Sequence, residues 1–272
     1  MNKDNLLTIA IDCAKKAGTE ALKYYQSGEY IAEIKDDNSP VTSADIAAND
    51  VLMRELALLT PDIPIISEEV GAVELKDRIG WQRYWLLDPI DGTGEFILAS
   101  GDFAVNIALI ENGWPSIGVI HAPDKQVTYY AQSGAGAFKE DKSGVRKIHV
   151  APYLPGQAIK VAVSRRQKRE LMGQYLSHDF EFDYVSLGSC SLKNGLIAEG
   201  GADCYLRIGP TGEWDTGASH CILEEAGGAI ISSEFKALSY NKRESLLNPD
   251  FISIGSADIP WQQVINAHKA ER

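Results

Sequence analysis

Long apolar runs are missing from this 272-residue chain. No stretch approaches the ~18 consecutive apolar residues that a spanning helix requires, so no membrane span is expected. The chain does not open with the basic-then-apolar pattern of a secretion signal. Paired cysteine motifs are also lacking. The four cysteines, Cys13, Cys190, Cys204 and Cys221, form no C-x-x-C pair and stand in apolar or helical surroundings. Buried free thiols are therefore expected rather than disulfides or a zinc site, and a reducing cytoplasm is the expected compartment. Excess positive charge is absent, with 26 Lys and Arg against 38 Asp and Glu and a formal net charge of −12. Such a protein is a poor partner for nucleic acid or an anionic membrane, so no nucleic-acid partner is expected. Peripheral contact at the inner face of the membrane stays open, and so does the oligomeric state. No internal repeat or low-complexity tract is visible.

What is present is ordinary for a globular protein: 44% apolar and 24% charged residues, enough for a sizeable core and a cleft. The length suits one large domain or two small fused ones. Residues 3–26 carry apolar side chains at helical spacing, and a second helix is expected from Thr42-Ser43 with Leu52, Leu56 and Leu59 on one face. Between them, 35–40 reads as a polar loop. Strands are expected at 63–66, 84–87, 103–110, 115–121, 127–131 and 134–138. Pro152 and Pro155-Gly156 mark the expected boundary between an α+β domain (1–152) and an α/β domain (153–272). Beyond it strands (158–163, 182–186, 202–206, 229–231, 251–254) alternate with helices (168–176, 189–199, 214–226, 261–270), which predicts a layered α/β half.

The chemistry concentrates at Leu86-Leu87-Asp88-Pro89-Ile90-Asp91-Gly92-Thr93. Two carboxylates three residues apart end an apolar strand. Two unit charges ~4 Å apart interact by roughly 4 kcal/mol at an effective dielectric near 20, so a crowded pair calls for a cation. Pro89 stiffens the turn expected after Asp88. A helix starting at Thr93 would aim the amides of Gly92 and Thr93 at an anion. Taken alone, the stretch is equally well a turn capped by an aspartate.

Three further stretches carry acids. Asp215, in Glu213-Trp214-Asp215-Thr216-Gly217-Ala218, reads alone as a helix N-cap. Gly217 and Ala218 leave the first turn bare, open to a ligand or metal. Ser67-Glu68-Glu69 follows a short apolar segment. Thr42-Ser43-Ala44-Asp45 reads as a helix start, whose carboxylate could also orient a nucleophile. Acids without a histidine or cysteine cluster suit a hard cation such as magnesium. Two such ions ~3.5–4 Å apart serve phosphoryl transfer. In the Asp-x-Asp pattern of aspartyl-phosphate phosphatases the second acid stands two residues on; here Ile90 does. Attack by metal-activated water is therefore expected rather than a covalent aspartyl intermediate.

Asp88-Pro89-Ile90-Asp91-Gly92-Thr93, together with Trp214-Asp215-Thr216-Gly217-Ala218 through Glu225-Ala226-Gly227-Gly228, resembles the inositol monophosphatase superfamily. Glu95-Phe96-Ile97, Gly188-Ser189-Cys190-Ser191-Leu192-Lys193 and the 240–249 stretch are most similar to its CysQ-type branch, the 3'(2'),5'-bisphosphate nucleotidases. The resemblance implies a layered αβαβα sugar-phosphatase-like fold. It implies magnesium-dependent removal of the 3'-phosphate of 3'-phosphoadenosine 5'-phosphate, giving AMP and phosphate. Carried over by position, Glu68, Asp88 and the Ile90 carbonyl would hold one magnesium, and Asp88, Asp91 and Asp215 a second. Thr93 and Asp45 would orient the attacking water. Gly92 and Thr93 amides would bind phosphate, and Ser189, Lys193 and Arg207 would face the nucleotide. Read by itself, Lys193 is a solvated helix lysine and Arg207 a surface ion-pair former. Gly94 stands where that branch often has lysine, and Gln167 stands at the histidine of a Ser-Arg-x-His pattern. Inositol 1-phosphate and fructose 1,6-bisphosphate are the alternative substrates on the same metal site. A non-catalytic binding protein retaining the fold is the alternative of another class.

Overall fold

The computed structural model describes residues 2–35, 39–71, 73–165 and 172–266. Two sheets form its frame. The first has seven strands in sequence order: β3 (Ile65–Ser67), β4 (Arg83–Asp91), β5 (Ala104–Glu111), β6 (Trp114–Ala122), β7 (Val127–Gln132), β8 (Gly136–Asp141) and β9 (Gly144–Ile148). β3 runs parallel to β4, and the rest is an antiparallel meander. The second sheet has the order β11-β10-β12-β14-β13, from β10 (Ile159–Val163), β11 (Phe182–Ser186), β12 (Cys204–Arg207), β13 (Ala229–Ser232) and β14 (Phe251–Ile254).

Strand alternation distributes the core. Trp85, Leu87, Ile107 and Leu109 face the first helical layer, α1 (Lys3–Ser27) and α2 (Ser43–Leu59). Tyr84, Leu86, Ala108 and Ile110 face the opposite way, onto α5 (Cys190–Ala198) and α6 (Glu213–Glu225). The second sheet covers the far side of those helices through Ala162, Tyr205, Ile230 and Phe251. Its outer face, Val161, Val163, Leu206 and Ile252, packs on Met172, Leu176, Trp261 and Val264. The order is thus helix, sheet, helix, sheet, helix, the expected αβαβα layering. All four cysteines are free and buried.

Several local expectations change. The polar loop at 35–40 is flanked by a small hairpin, β1 (Ala32–Ile34) with β2 (Pro40–Thr42). The strand ending in Asp88 does not turn at Pro89; it continues to Asp91. Asp88 pairs with Asn106 and Asp91 with Ala104, so three steps on β4 match two on β5. Pro89 has no N–H for the ladder, which favours such a bulge there. The helices expected at 168–176 and 261–270 lie partly outside the described residues, as does Gln167. Within the described part, the second runs Trp261–Val264.

Candidate active site

The bulge sets the first piece of geometry. In a regular strand, residues 88 and 91 would point to opposite faces. One extra residue turns Asp91 onto the side of Asp88. Asp88, Asp91 and Asp215 each bring a carboxylate oxygen to within 4.8 Å of the other two. Asp88 is 1% exposed, and among the described residues neither of its oxygens has a hydrogen-bond partner. Burial, then the charges of Glu68, Asp91 and Asp215, push its pKa well above the usual carboxylate range. Burial, then Asp91 and Glu68, do the same to Asp215. A buried acid without donors, among other acids, is costly unless a cation neutralises it. The all-oxygen donor set fits a hard divalent ion.

Asp91 is held differently. Its Oδ2 accepts from Ser189 Oγ (2.5 Å), Ser191 N (2.6 Å) and Ser191 Oγ (2.5 Å), and Oδ1 accepts from Cys190 N (3.1 Å). The carboxylate therefore sits on the N-terminus of α5, where amides and helix dipole favour a negative charge. Ser189 reaches it from a backbone with φ of 57°, a region sparsely used by side-chain-bearing residues. The same hydroxyl accepts from Leu192 N at 3.1 Å and so caps the helix.

Asp215 is not the N-cap residue. Gly212 caps α6, and Asp215, the third helical residue, accepts from Gly212 N at 2.6 Å. Asn248 fixes that corner: its amide donates to Gly212 O (2.7 Å), and its backbone N–H to Thr211 O (2.8 Å). Fully buried Arg78, the last residue of α3 (Leu75–Arg78), ties down the same 240–249 segment, donating to Asn241 Oδ1 (2.6 Å) and to the Arg243 (2.8 Å) and Glu244 (2.7 Å) carbonyls. Gly217 and Ala218, expected to leave room for a ligand, are buried against the sheet instead. A Cβ on Gly217 would stand 3.0 Å from Leu86 and 3.1 Å from Ala108. Their smallness serves close helix–sheet packing.

Thr93 opens the short helix α4 (Thr93–Ile97), following Gly92 at φ 95°. Its hydroxyl lies 3.0 Å from Asp45 Oδ1 and 3.2 Å from Ile90 O. Asp45 Oδ2 also accepts from Thr42 N (2.8 Å) and Oγ1 (2.6 Å). Burial raises the Asp45 pKa, against the lowering effect of these bonds. Glu68 is not among the three clustered carboxylates. Lys35 Nζ bridges it (3.0 Å) and Glu69 (2.8 Å). Burial pushes Glu68 up to about 7, although Lys35 pulls it down.

Beside the cluster opens a cavity of about 320 Å³, lined by Asp91, Ser189, Cys190, Lys193, Arg207 and Asp215 among others. Lys193 is not solvated. It is 3% exposed, donates to Ser189 O (2.5 Å) and Leu187 O (3.4 Å), and lies 4.7 Å from the Tyr205 ring centroid. Burial lowers its pKa. Arg207 donates to Pro210 O at 3.0 Å rather than to an acid. Sequence reasoning gave no role to Ser191, Lys35, Arg78 and Asn248. Ser191, a second serine at a helix start, and Asn248, inside the 240–249 stretch, carried a signal; the others carried none.

The chain belongs to the inositol monophosphatase family, whose model matches residues 2–264. Among curated relatives, the 3'(2'),5'-bisphosphate nucleotidase CysQ of Haemophilus influenzae is 38% identical over 261 residues, 96% of this chain and 97% of that protein. That of Salmonella typhimurium is 47% identical over 243 residues, 88% of this chain and 95% of the relative. Among solved structures, CysQ from Bacteroides thetaiotaomicron superposes with a TM-score of 0.79 at 34% identity, covering 92% of this chain and 97% of that one.

Proposed function

We propose that this protein is a magnesium-dependent phosphomonoesterase that removes the 3'-phosphate of 3'-phosphoadenosine 5'-phosphate to give AMP and phosphate. One observation carries the reading. The Asp88 carboxylate, without a partner among the described residues, clusters with Asp91 and Asp215, and Thr93, two residues after Asp91, is already bonded to the buried Asp45. The nucleotide as substrate is supported by relatives named 3'(2'),5'-bisphosphate nucleotidase that align along almost their whole length.

Asp88, Asp91 and Asp215 would hold magnesium, joined by the Ile90 carbonyl and by Glu68 once its ion pair with Lys35 opens. Two or more ions per site suit that ligand set. Magnesium, when bound, supplies an electrophile that acidifies the attacking water and offsets phosphate charge. Thr93 donates its own proton to Asp45, which leaves its oxygen lone pairs to accept one from the attacking water. Asp45, with its pKa raised by burial, takes that proton through Thr93. Gly92 and Thr93 amides hold phosphate oxygens. Ser189, Lys193 and Arg207 meet the nucleotide along the cavity. No described helix is long and apolar enough to cross a membrane. A cytoplasmic enzyme acting on a free nucleotide is the matching setting.

The test is phosphate release from 3'-phosphoadenosine 5'-phosphate, inositol 1-phosphate and fructose 1,6-bisphosphate, with magnesium and with EDTA. The nucleotide should react fastest, and EDTA should abolish release. Faster release from either sugar phosphate would reassign the substrate. No magnesium-dependent release from any of them would leave a binding protein with a catalytic fold.

A further inference from the structure

Two of the three clustered carboxylates have visible orienting partners: Asp91 has the donors of residues 189–191, and Asp215 has the Gly212 amide. Asp88 has none. Directly opposite it in the β4–β5 pair stands Asn106. Opposed residues of an antiparallel pair point to the same face, with Cβ atoms about 4.5–5.5 Å apart. That face is the one carrying Leu86 and Ala108, beneath α6. Asn106 is 1% exposed, and among the described residues neither its amide nitrogen nor its amide oxygen has a partner. Its strand neighbours on that face, Ala104 and Ala108, are apolar, and so is Ile120, opposite it on β6.

A buried carboxamide among alanines and isoleucine costs stability without a hydrogen bond. It stands next to a carboxylate in the same condition, beyond direct bonding distance. One water can bridge such a gap nearly as well as a direct bond. We propose that Asn106 is a positioning residue of the metal centre, bonding Asp88 through one ordered water so that the carboxylate faces Asp91 and Asp215. The inference rests on the metal reading of the proposed function. A neutral amide suits the task because it donates a hydrogen bond without adding a further negative charge. Partners of this kind, one step removed from a metal, set ligand orientation and metal affinity.

The test compares metal-free wild type, Asn106→Leu, Asn106→Ser and Asp88→Asn. Manganese binding is read by titration calorimetry and by the resonance of the free ion, and thermal melting is followed in EDTA. Leucine matches asparagine in branching and in the number of side-chain heavy atoms, and removes both polar atoms. Asn106→Leu should lose about 10–100-fold in manganese affinity. In EDTA its melting temperature should stay near that of wild type, because the buried amide and the water it holds leave together and little net hydrogen-bond energy is lost. Asn106→Ser, which can still reach a water, should fall between the two, and it gives the answer if the leucine variant does not fold. Wild-type affinity in whichever of these variants folds would overturn the proposal. So would a lowered melting temperature with affinity preserved, the mark of a packing role alone. If wild type binds no manganese, or Asp88→Asn binds it equally well, the metal reading itself fails and takes the inference with it.

Discussion

The Thr93 hydroxyl lies 3.0 Å from Asp45 Oδ1, across 48 positions of sequence and between two different helices. Thr42 holds the other oxygen of Asp45 through its backbone and its hydroxyl, so the carboxylate is fixed before any substrate arrives. Thr93→Ala should therefore lower kcat by about 10²–10⁴-fold, the usual range for a lost proton-transfer group. Manganese affinity should stay unchanged, because Thr93 is outside the carboxylate cluster. Thr93→Ser should keep most of the turnover. Steady-state kinetics beside calorimetry decide the matter, and an alanine variant with ordinary kcat would remove the pair from the mechanism.

The metal-free protein should be less stable at pH 8 than at pH 5.5. Asp88 and Asp215 carry pKa values raised first by burial, and Glu68 is raised to about 7. An acid with a raised folded-state pKa binds more protons folded than unfolded at intermediate pH. Its stabilising protonation is fully present below the unfolded value and is lost as pH rises through the folded one. For Glu68 the loss falls between about pH 4.5 and 7. Melting curves in EDTA should fall across that window and above it, and saturating magnesium should flatten or reverse the trend. A melting temperature in EDTA that rises from pH 5.5 to 8 would contradict the strain assigned to these acids.

Lys193→Met should cost folding stability as well as substrate affinity. The ammonium donates to the carbonyls of Ser189 and Leu187, in the segment whose next residues grip Asp91. Leaving a buried acceptor unpaired costs about 1–3 kcal/mol. Urea unfolding should show that loss. Turnover should fall along with affinity, since Asp91 loosens with its partners. A rise in KM at unchanged stability and kcat would mean that Lys193 acts on the nucleotide alone.

The contrast between legible and hidden parts of the site follows from sequence distance. Asp88, Asp91 and Thr93 share one short motif, and Asp215 has its own, so the acids and the helix start at Thr93 were readable. The αβαβα layering was readable too, from the alternation after residue 158 joined to the family resemblance. What holds the acids was not readable. Asp91 takes its donors from residues 98–100 positions away. Asn106 sits inside a stretch that reads as a plain apolar strand, and its facing Asp88 depends on β4–β5 register. The turn expected at Pro89 was a bulge because proline is tolerated in a strand where a ladder bond is already skipped. Gly217 looked like ligand space because a small residue allows close approach, and only the packed structure shows that the sheet makes it.

Gly118, on the strand beneath α6, likewise governs how the carboxylate cluster is positioned. A Cβ on Gly118 would stand 2.2 Å from the Ala218 carbonyl oxygen and 3.1 Å from its Cα. Both are backbone atoms, so no side-chain rotation relieves the clash, and α6 must retreat from the sheet. Asp215, in the first turn of α6, would move with it, away from Asp88 and Asp91 on β4. Overpacking of this kind typically costs about 1–3 kcal/mol. Gly118→Ala should therefore lower the melting temperature and weaken manganese binding together. Gly80→Ala, with nothing within 4 Å of the new methyl group, is the matched control. It should shift stability by no more than about 0.5 kcal/mol and leave manganese binding alone. A Gly118→Ala protein that loses stability yet binds manganese like wild type would mean that Asp215 is placed by the Gly212–Asn248 corner rather than by the seating of its helix on the sheet.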